Sequence, residues 1–177
     1  MSKLRVPVTE NDHVLGLETA HCTLVEYGDY QCPHCRAAQP VVEKLRETFG
    51  AQLRFVFRNF PLNQSHAEAQ GAAETAEFAG SKGKFWEMHD ALFKHQDRLG
   101  ELFYVEQSEA LGLSGDELRK ALKDGTFTKR VQDDFSGGVR SGVNGTPTFF
   151  INDERHNGSN NFDSLGAKIG SALQAAS

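Results

Sequence analysis

The stretch from Val25 to Phe49 constrains this chain more than any other. Leu24, Val25 and Tyr27 suit a buried strand, a short turn follows, and Cys32-Pro33-His34-Cys35 arrives where a helix begins. Proline is favoured in a first helical turn because its missing N–H would have no intrahelical acceptor there. Ala38, Val41, Val42, Leu45 and Phe49 recur at helical spacing, and Gly50 closes the helix. Pro40 inside it predicts a kink rather than a break. An apolar strand over residues 53–57 completes a strand, helix and strand, a βαβ unit that should cross over right-handedly to a parallel strand.

The character then changes. Residues 66–78, 84–96, 101–111, 115–122 and 128–141 read as helices, with no alternating pattern among them. Ala69, Ala72, Ala73 and Ala76 share one face of the first, and Phe85, Met88 and Leu92 form a stripe on the second. Ser114-Gly115-Asp116-Glu117 is a capping-box pattern. A strand returns over residues 146–152, followed by a hairpin-like polar turn through residues 153–156, a short last strand, and a helix over residues 162–173. The polar residues 1–13 form an edge strand or a loop. This order predicts an α/β protein in which residues 1–62 and 143–177 build one sheet-centred core and residues 63–142 are an inserted all-helical domain. A length of 177 residues suits one domain with a sizeable insertion.

Composition excludes several classes. A formal net charge of -5 argues against a nucleic-acid surface. No apolar run approaches the roughly 18 residues that span a bilayer. Residues 1–10 have no apolar core of signal-peptide length, so a cytoplasmic protein is expected, or a periplasmic one if a leader has been removed. Three cysteines do not make a disulfide framework, and Cys22, apart from the pair, reads as a small apolar core residue.

Two cysteines at this spacing form a small disulfide ring or supply half a metal site. Structural zinc needs four ligands; there is no second pair, and His66, His89 and His95 show no ligand spacing. At a helix N-terminus the unpaired N–H groups and the helix dipole stabilise an anion, and thiolate is the nucleophile of disulfide exchange. Cys32 is then the attacking thiol, facing solvent, and Cys35 the resolving one a turn behind. His34 adds positive charge or a hydrogen bond to the Cys32 sulfur. Stabilising the thiolate stabilises the reduced form and makes the disulfide a stronger oxidant. Glu26 is either a solvated edge residue or a buried acid beneath the pair; burial would raise its affinity for a proton and let it relay that of Cys35. Pro147, opening an apolar strand, belongs at an edge or beside a site. X–Pro bonds are cis in only about 5–6% of cases, so physics alone does not predict cis at Thr146-Pro147.

Together these features resemble the DsbA-like branch of the thioredoxin superfamily. The resemblance rests on Cys32-Pro33-His34-Cys35 with an acid six residues upstream, the segments 57–62 and 85–93, and Gly142-Val143-Asn144-Gly145-Thr146-Pro147-Thr148-Phe149-Phe150-Ile151-Asn152. It covers residues 20–175 and points to the branch's soluble bacterial members. It implies a thioredoxin fold with an inserted helical domain and a cis peptide at Thr146-Pro147 packed against Cys32 and Cys35. The main chain of Thr146 would pair with a substrate peptide. The nucleophile falls on Cys32, the resolving thiol on Cys35 and the buried acid on Glu26. The Pro33-His34 pair matches that of the strongly oxidising periplasmic enzyme, whereas a reducing cytosol would hold such a pair reduced.

The expected function is thiol:disulfide exchange with protein or peptide substrates, without metal or organic cofactor, by a monomer rather than a dimer. A thioredoxin or glutathione system is the candidate redox partner; no nucleic acid and no membrane are expected. Two other readings are a redox-gated peptide-binding or chaperone module and a kappa-class glutathione transferase-like enzyme.

Overall fold

The computed structural model describes residues 2–176. Strand β2 (Cys22–Gly28) and strand β3 (Leu53–Asn59) are buried at every position but Thr23 and Arg54. Both faces of these strands are therefore covered, which their near-continuous apolar sequence requires. They lie side by side at the centre of a sheet ordered β1-β3-β2-β4-β5. Strand β1 (His13–Leu15) pairs antiparallel with β3, Leu15 opposite Phe55, and so supplies the N-terminal edge strand. Strand β4 (Thr148–Ile151) pairs antiparallel with β2, Glu26 opposite Phe149.

The hairpin turn differs from its expected span. Asn152 and Asp153 alone make the turn, with φ of 44° and 70°, and strand β5 (Glu154–Arg155) lies inside the expected turn. Asn and Asp tolerate the left-handed conformation, so a two-residue connection suffices. Asn152 is held further by β2, its Oδ1 accepting from the Thr23 N–H at 2.8 Å.

Helix α1 (Pro33–Phe49) runs unbroken through Pro40 and stops at Gly50, whose φ is 52°. Helices α2 (Ala69–Ser81), α3 (Phe85–Lys94), α4 (Glu101–Ala110), α5 (Gly115–Asp124) and α6 (Thr128–Arg140) fill the chain between β3 and β4. Helix α7 (Phe162–Ala175) closes the chain and packs on β2 and β4. The Ser114 side chain accepts from the Glu117 N–H at 3.2 Å, as the capping pattern predicted. Asn161 caps α7 in the same way at 2.9 Å. Helix α2 starts three residues later than expected, because the N–H groups of Ser65 and His66 both close a separate turn onto the Leu62 carbonyl at 2.9 Å.

The chain divides into two compact units. One comprises Met1–Gly28, Ala37–Arg58 and Ser136–Ser177 and holds the sheet. The other comprises Asp29–Arg36 and Asn59–Phe135 and holds helices α2 to α5. In the first, Arg58 reaches out of β3 to bind Asp12 at 2.8 and 3.0 Å, the Val6 and Pro7 carbonyls, and the Tyr27 hydroxyl. This guanidinium is 3% exposed, and it ties residues 6–12 to the sheet. In the second, the alanine face of α2 is buried throughout, and Asn59 is clasped by Glu77 and Asp134 at 2.8 and 3.1 Å.

Candidate active site

The turn from Asp29 to Cys32 is built by Asp29. Its carbonyl accepts from the Cys32 N–H at 3.1 Å, and its Oδ1 accepts from the Gln31 N–H at 2.7 Å. This Asx turn delivers Cys32 to the position before α1, where the Cys32 carbonyl accepts from the Arg36 N–H at 3.1 Å. Pro33 and His34 occupy the exposed side of the first turn. Cys35 lies in the same turn, fully buried, and its Sγ accepts from the Asp29 N–H at 3.4 Å.

The turn is clamped from the helical side of its own unit. Asp29 Oδ2 accepts from the Leu62 N–H and from His66 Nδ1, each at 2.8 Å. An ionised carboxylate only accepts, so opposite it His66 carries its proton on Nδ1. Gln31 Oε1 accepts from the Glu68 N–H at 2.7 Å. The Gln96 amide donates to the carbonyls of Tyr30 and Cys32 at 2.8 and 3.0 Å. Tyr30, 1% exposed, bonds through its hydroxyl to His89 Nδ1 at 2.9 Å and packs against Phe93.

Cys32 departs from expectation. It is 4% exposed rather than open to solvent. Gln96 covers its carbonyl, and Pro33 and His34 are the outward residues of the turn.

In the sheet unit, Glu26 is 0% exposed on a central strand, so it is a buried carboxyl and not a solvated edge residue. Gly28 follows it on the same face, where an added Cβ would lie 2.5 Å from the Phe57 ring and 3.1 Å from Glu26 Oε1. Only glycine ends the strand here without moving one or the other. Thr146-Pro147 is a cis peptide directly before β4, half-buried. Thr148 Oγ1 donates to the Gly145 carbonyl at 2.8 Å and tightens this turn. Cys22 is buried, and burial pushes its thiol up to about 11 from 9.0.

Sequence reasoning overlooked Asp29, Gln31, Gln96 and the roles of His66 and His89. The position of Asp29, three residues before Cys32, carried an Asx-turn signal. From the sequence, His66 and His89 read only as candidate metal ligands. Gln96 had no local signal, since it acts across 64 positions of chain.

The thioredoxin family model matches residues 8–170, and the chain belongs to that family. Within it the fold is DsbA-like. BdbD from Bacillus subtilis superposes with a TM-score of 0.88 over 98% of both chains, at 23% identity. A thioredoxin-like oxidoreductase from Silicibacter pomeroyi gives 0.82 over 94% of both chains, at 26% identity. Wolbachia pipientis alpha-DsbA1 gives 0.81 over 98% of this chain and 96% of its own, at 22% identity. Among curated proteins, the chain is 45% identical over 171 residues to the Na(+)/H(+) antiporter NhaA 1 of Salinispora arenicola, covering 96% of this chain and 26% of that protein. It is 42% identical to the Na(+)/H(+) antiporter NhaA 3 of Salinispora tropica, covering 98% and 26%. The chain thus spans about a quarter of the length of these relatives. Among its described residues, no helix is long and apolar enough to cross a membrane.

Proposed function

We propose that this chain is a thiol:disulfide oxidoreductase that exchanges the Cys32–Cys35 dithiol or disulfide with protein or peptide partners. One observation carries the reading: in a thioredoxin-family chain, Cys32 stands immediately before a helix, and Cys35 sits in its first turn with a main-chain N–H on its sulfur. The free N–H groups and dipole of that helix favour thiolate over thiol at Cys32.

In the reducing direction, the Cys32 thiolate attacks a substrate disulfide, forms a mixed disulfide and releases one substrate thiolate. Cys35, deprotonated, then attacks Cys32 Sγ; the Cys32–Cys35 bond forms and the second substrate sulfur leaves with the electron pair. In the oxidising direction a substrate thiolate attacks Cys32 Sγ and the electron pair goes to Cys35 Sγ. A second substrate thiolate then attacks the substrate-side sulfur of the mixed disulfide and expels the Cys32 thiolate. Glu26 moves the Cys35 proton, His34 adds positive charge or a hydrogen bond at the Cys32 sulfur, and Pro33 sets the first helical turn. The main chain at Thr146, shaped by Pro147, pairs with the substrate segment. The compartment sets the net direction: a periplasmic setting favours oxidation of clients, a cytoplasmic one reduction through a thioredoxin or glutathione partner.

The test is insulin reduction and dithiol-peptide oxidation by wild type and Cys32→Ser. Both activities should vanish in the variant. Equal rates in both proteins would overturn the proposal. Client binding that survives Cys32→Ser without turnover would favour a chaperone module instead.

A second reading is favoured by the antiporter relatives, which match almost this whole chain. In it, the domain serves the thiols of a membrane transporter. Co-expression with such an antiporter, with and without this chain, should alter the redox state of the transporter's cysteines; an unchanged state would exclude this reading.

A further inference from the structure

A cavity of about 540 Å³ opens within the helical unit. Its floor is Pro61, Leu62, Val131 and Phe135, and its walls include the amides of Gln64 and Gln132. No charged residue lines it. Asn63 donates to Gln70 Oε1 at 3.2 Å, and Gln70 Nε2 donates to Glu74 at 3.0 Å, so those two amides are committed. The amides of Gln64 and Gln132 are exposed and make no hydrogen bond among the described residues. Phe135 is held by stacking on Phe60, ring centroids 4.3 Å apart, so the floor is fixed rather than collapsible.

We propose that this pocket binds an uncharged, extended stretch of the substrate polypeptide, away from its cysteine. The lining selects that class. Two free amides each offer a donor and an acceptor, the pattern a peptide main chain presents in return. The apolar floor accepts one large aliphatic or aromatic side chain, and the lack of charge gives no partner to an acidic or basic one. The volume falls within the range of about 300–1,000 Å³ that takes ligands of a few residues. The pocket is also coupled to the cysteines within one unit. Residues 61–65 line it, and Leu62 together with the next residue of the loop, His66, holds the Asp29 carboxylate, while the Asp29 N–H donates to Cys35 Sγ. A polypeptide seated in the pocket therefore braces the turn that presents the cysteine pair.

This inference rests on the proposed oxidoreductase reading for its meaning, but its test does not depend on turnover. The probe is an acetylated, amidated, cysteine-free heptapeptide of glycine, asparagine, leucine and phenylalanine, titrated against the full chain by amide NMR. Shifts should concentrate on residues 61–65 and 131–135. The double variant Gln64→Ala, Gln132→Ala alters only exposed side chains and should bind about ten-fold more weakly, the loss expected of two net hydrogen bonds. In turnover assays the double variant should raise KM for a reduced, unfolded polypeptide by a similar factor, leave kcat unchanged, and oxidise or reduce dithiothreitol at the wild-type rate. Peptide shifts elsewhere, none at all, or equal affinity of wild type and variant would overturn the pocket. Absence of turnover by wild type, with the peptide still bound at residues 61–65 and 131–135, would overturn the oxidoreductase reading and leave the pocket standing.

Discussion

The main-chain N–H of Asp29 donates to Cys35 Sγ at 3.4 Å. The same residue's carboxylate holds Gln31, Leu62 and His66. One side chain thus fixes the orientation of a peptide group whose proton points at the buried sulfur. A donor there favours the thiolate of Cys35, the form that attacks a mixed disulfide. Asp29→Ala should lower stability by about 1–3 kcal/mol, since three half-buried donors lose their acceptor. It should also slow resolution, so that the Cys32 mixed disulfide accumulates in stopped-flow mass spectrometry. Asp29→Asn keeps one carbonyl oxygen and should restore most of the stability. An Asp29→Ala protein that resolves at the wild-type rate would show that the N–H is held by the backbone alone.

The helix N-terminus makes its own prediction. Absorbance of the thiolate against pH should place Cys32 well below the free-thiol value of about 8.5. A pKa lowered on folding stabilises the reduced protein above the unfolded value, and that stability is lost as pH falls through the folded value. Denaturant melts of the reduced protein should therefore gain stability as pH rises between the two. Cys32→Ser should abolish this slope.

Cys22 behaves in the opposite sense. Burial raises its thiol from 9.0 to about 11. The unfolded chain then loses its proton first, so folding stability falls as pH rises through the window from 9.0 to about 11. Cys22→Ala should flatten this alkaline loss in urea melts. Iodoacetamide at neutral pH should leave Cys22 unmodified in the native state and label it once the chain is unfolded.

Arg58 is buried with Asp12, its charge held by that carboxylate and by three oxygens of Val6, Pro7 and Tyr27. Burial by itself would drive the guanidinium towards its neutral form, but Asp12 and the Tyr27 hydroxyl hold it charged. Asp12→Ala should destabilise the fold by about 3–5 kcal/mol, because it strands a buried charge. Hydrogen exchange should show residues 6–12 released first. A loss of under about 1 kcal/mol would mean that water replaces Asp12.

Much of the fold was legible because it is local. The helix from Pro33 to Phe49 follows from a proline in its first turn, an apolar stripe at helical spacing and a terminal glycine. Ser114 announced its cap, and the burial of Ala69, Ala72, Ala73 and Ala76 followed from their spacing. The turn at Asn152-Asp153 is shorter than its polar stretch suggests, because its length depends on two backbone angles that residue polarity does not report.

By itself, then, the sequence placed the two cysteines at the start of one helix, since Pro33 and the apolar stripe behind it fix where that helix begins. It left the burial of Glu26 undecided, because a strand's two faces are covered or bare according to neighbours the strand does not encode. Tertiary structure buried Glu26 between β3 and β4 and closed Cys32 to 4% exposure. It also brought His66 and Gln96 to the cysteine turn from 37 and 64 residues away. Hydrogen bonds of that span depend on the path of the whole chain, and no local propensity carries them.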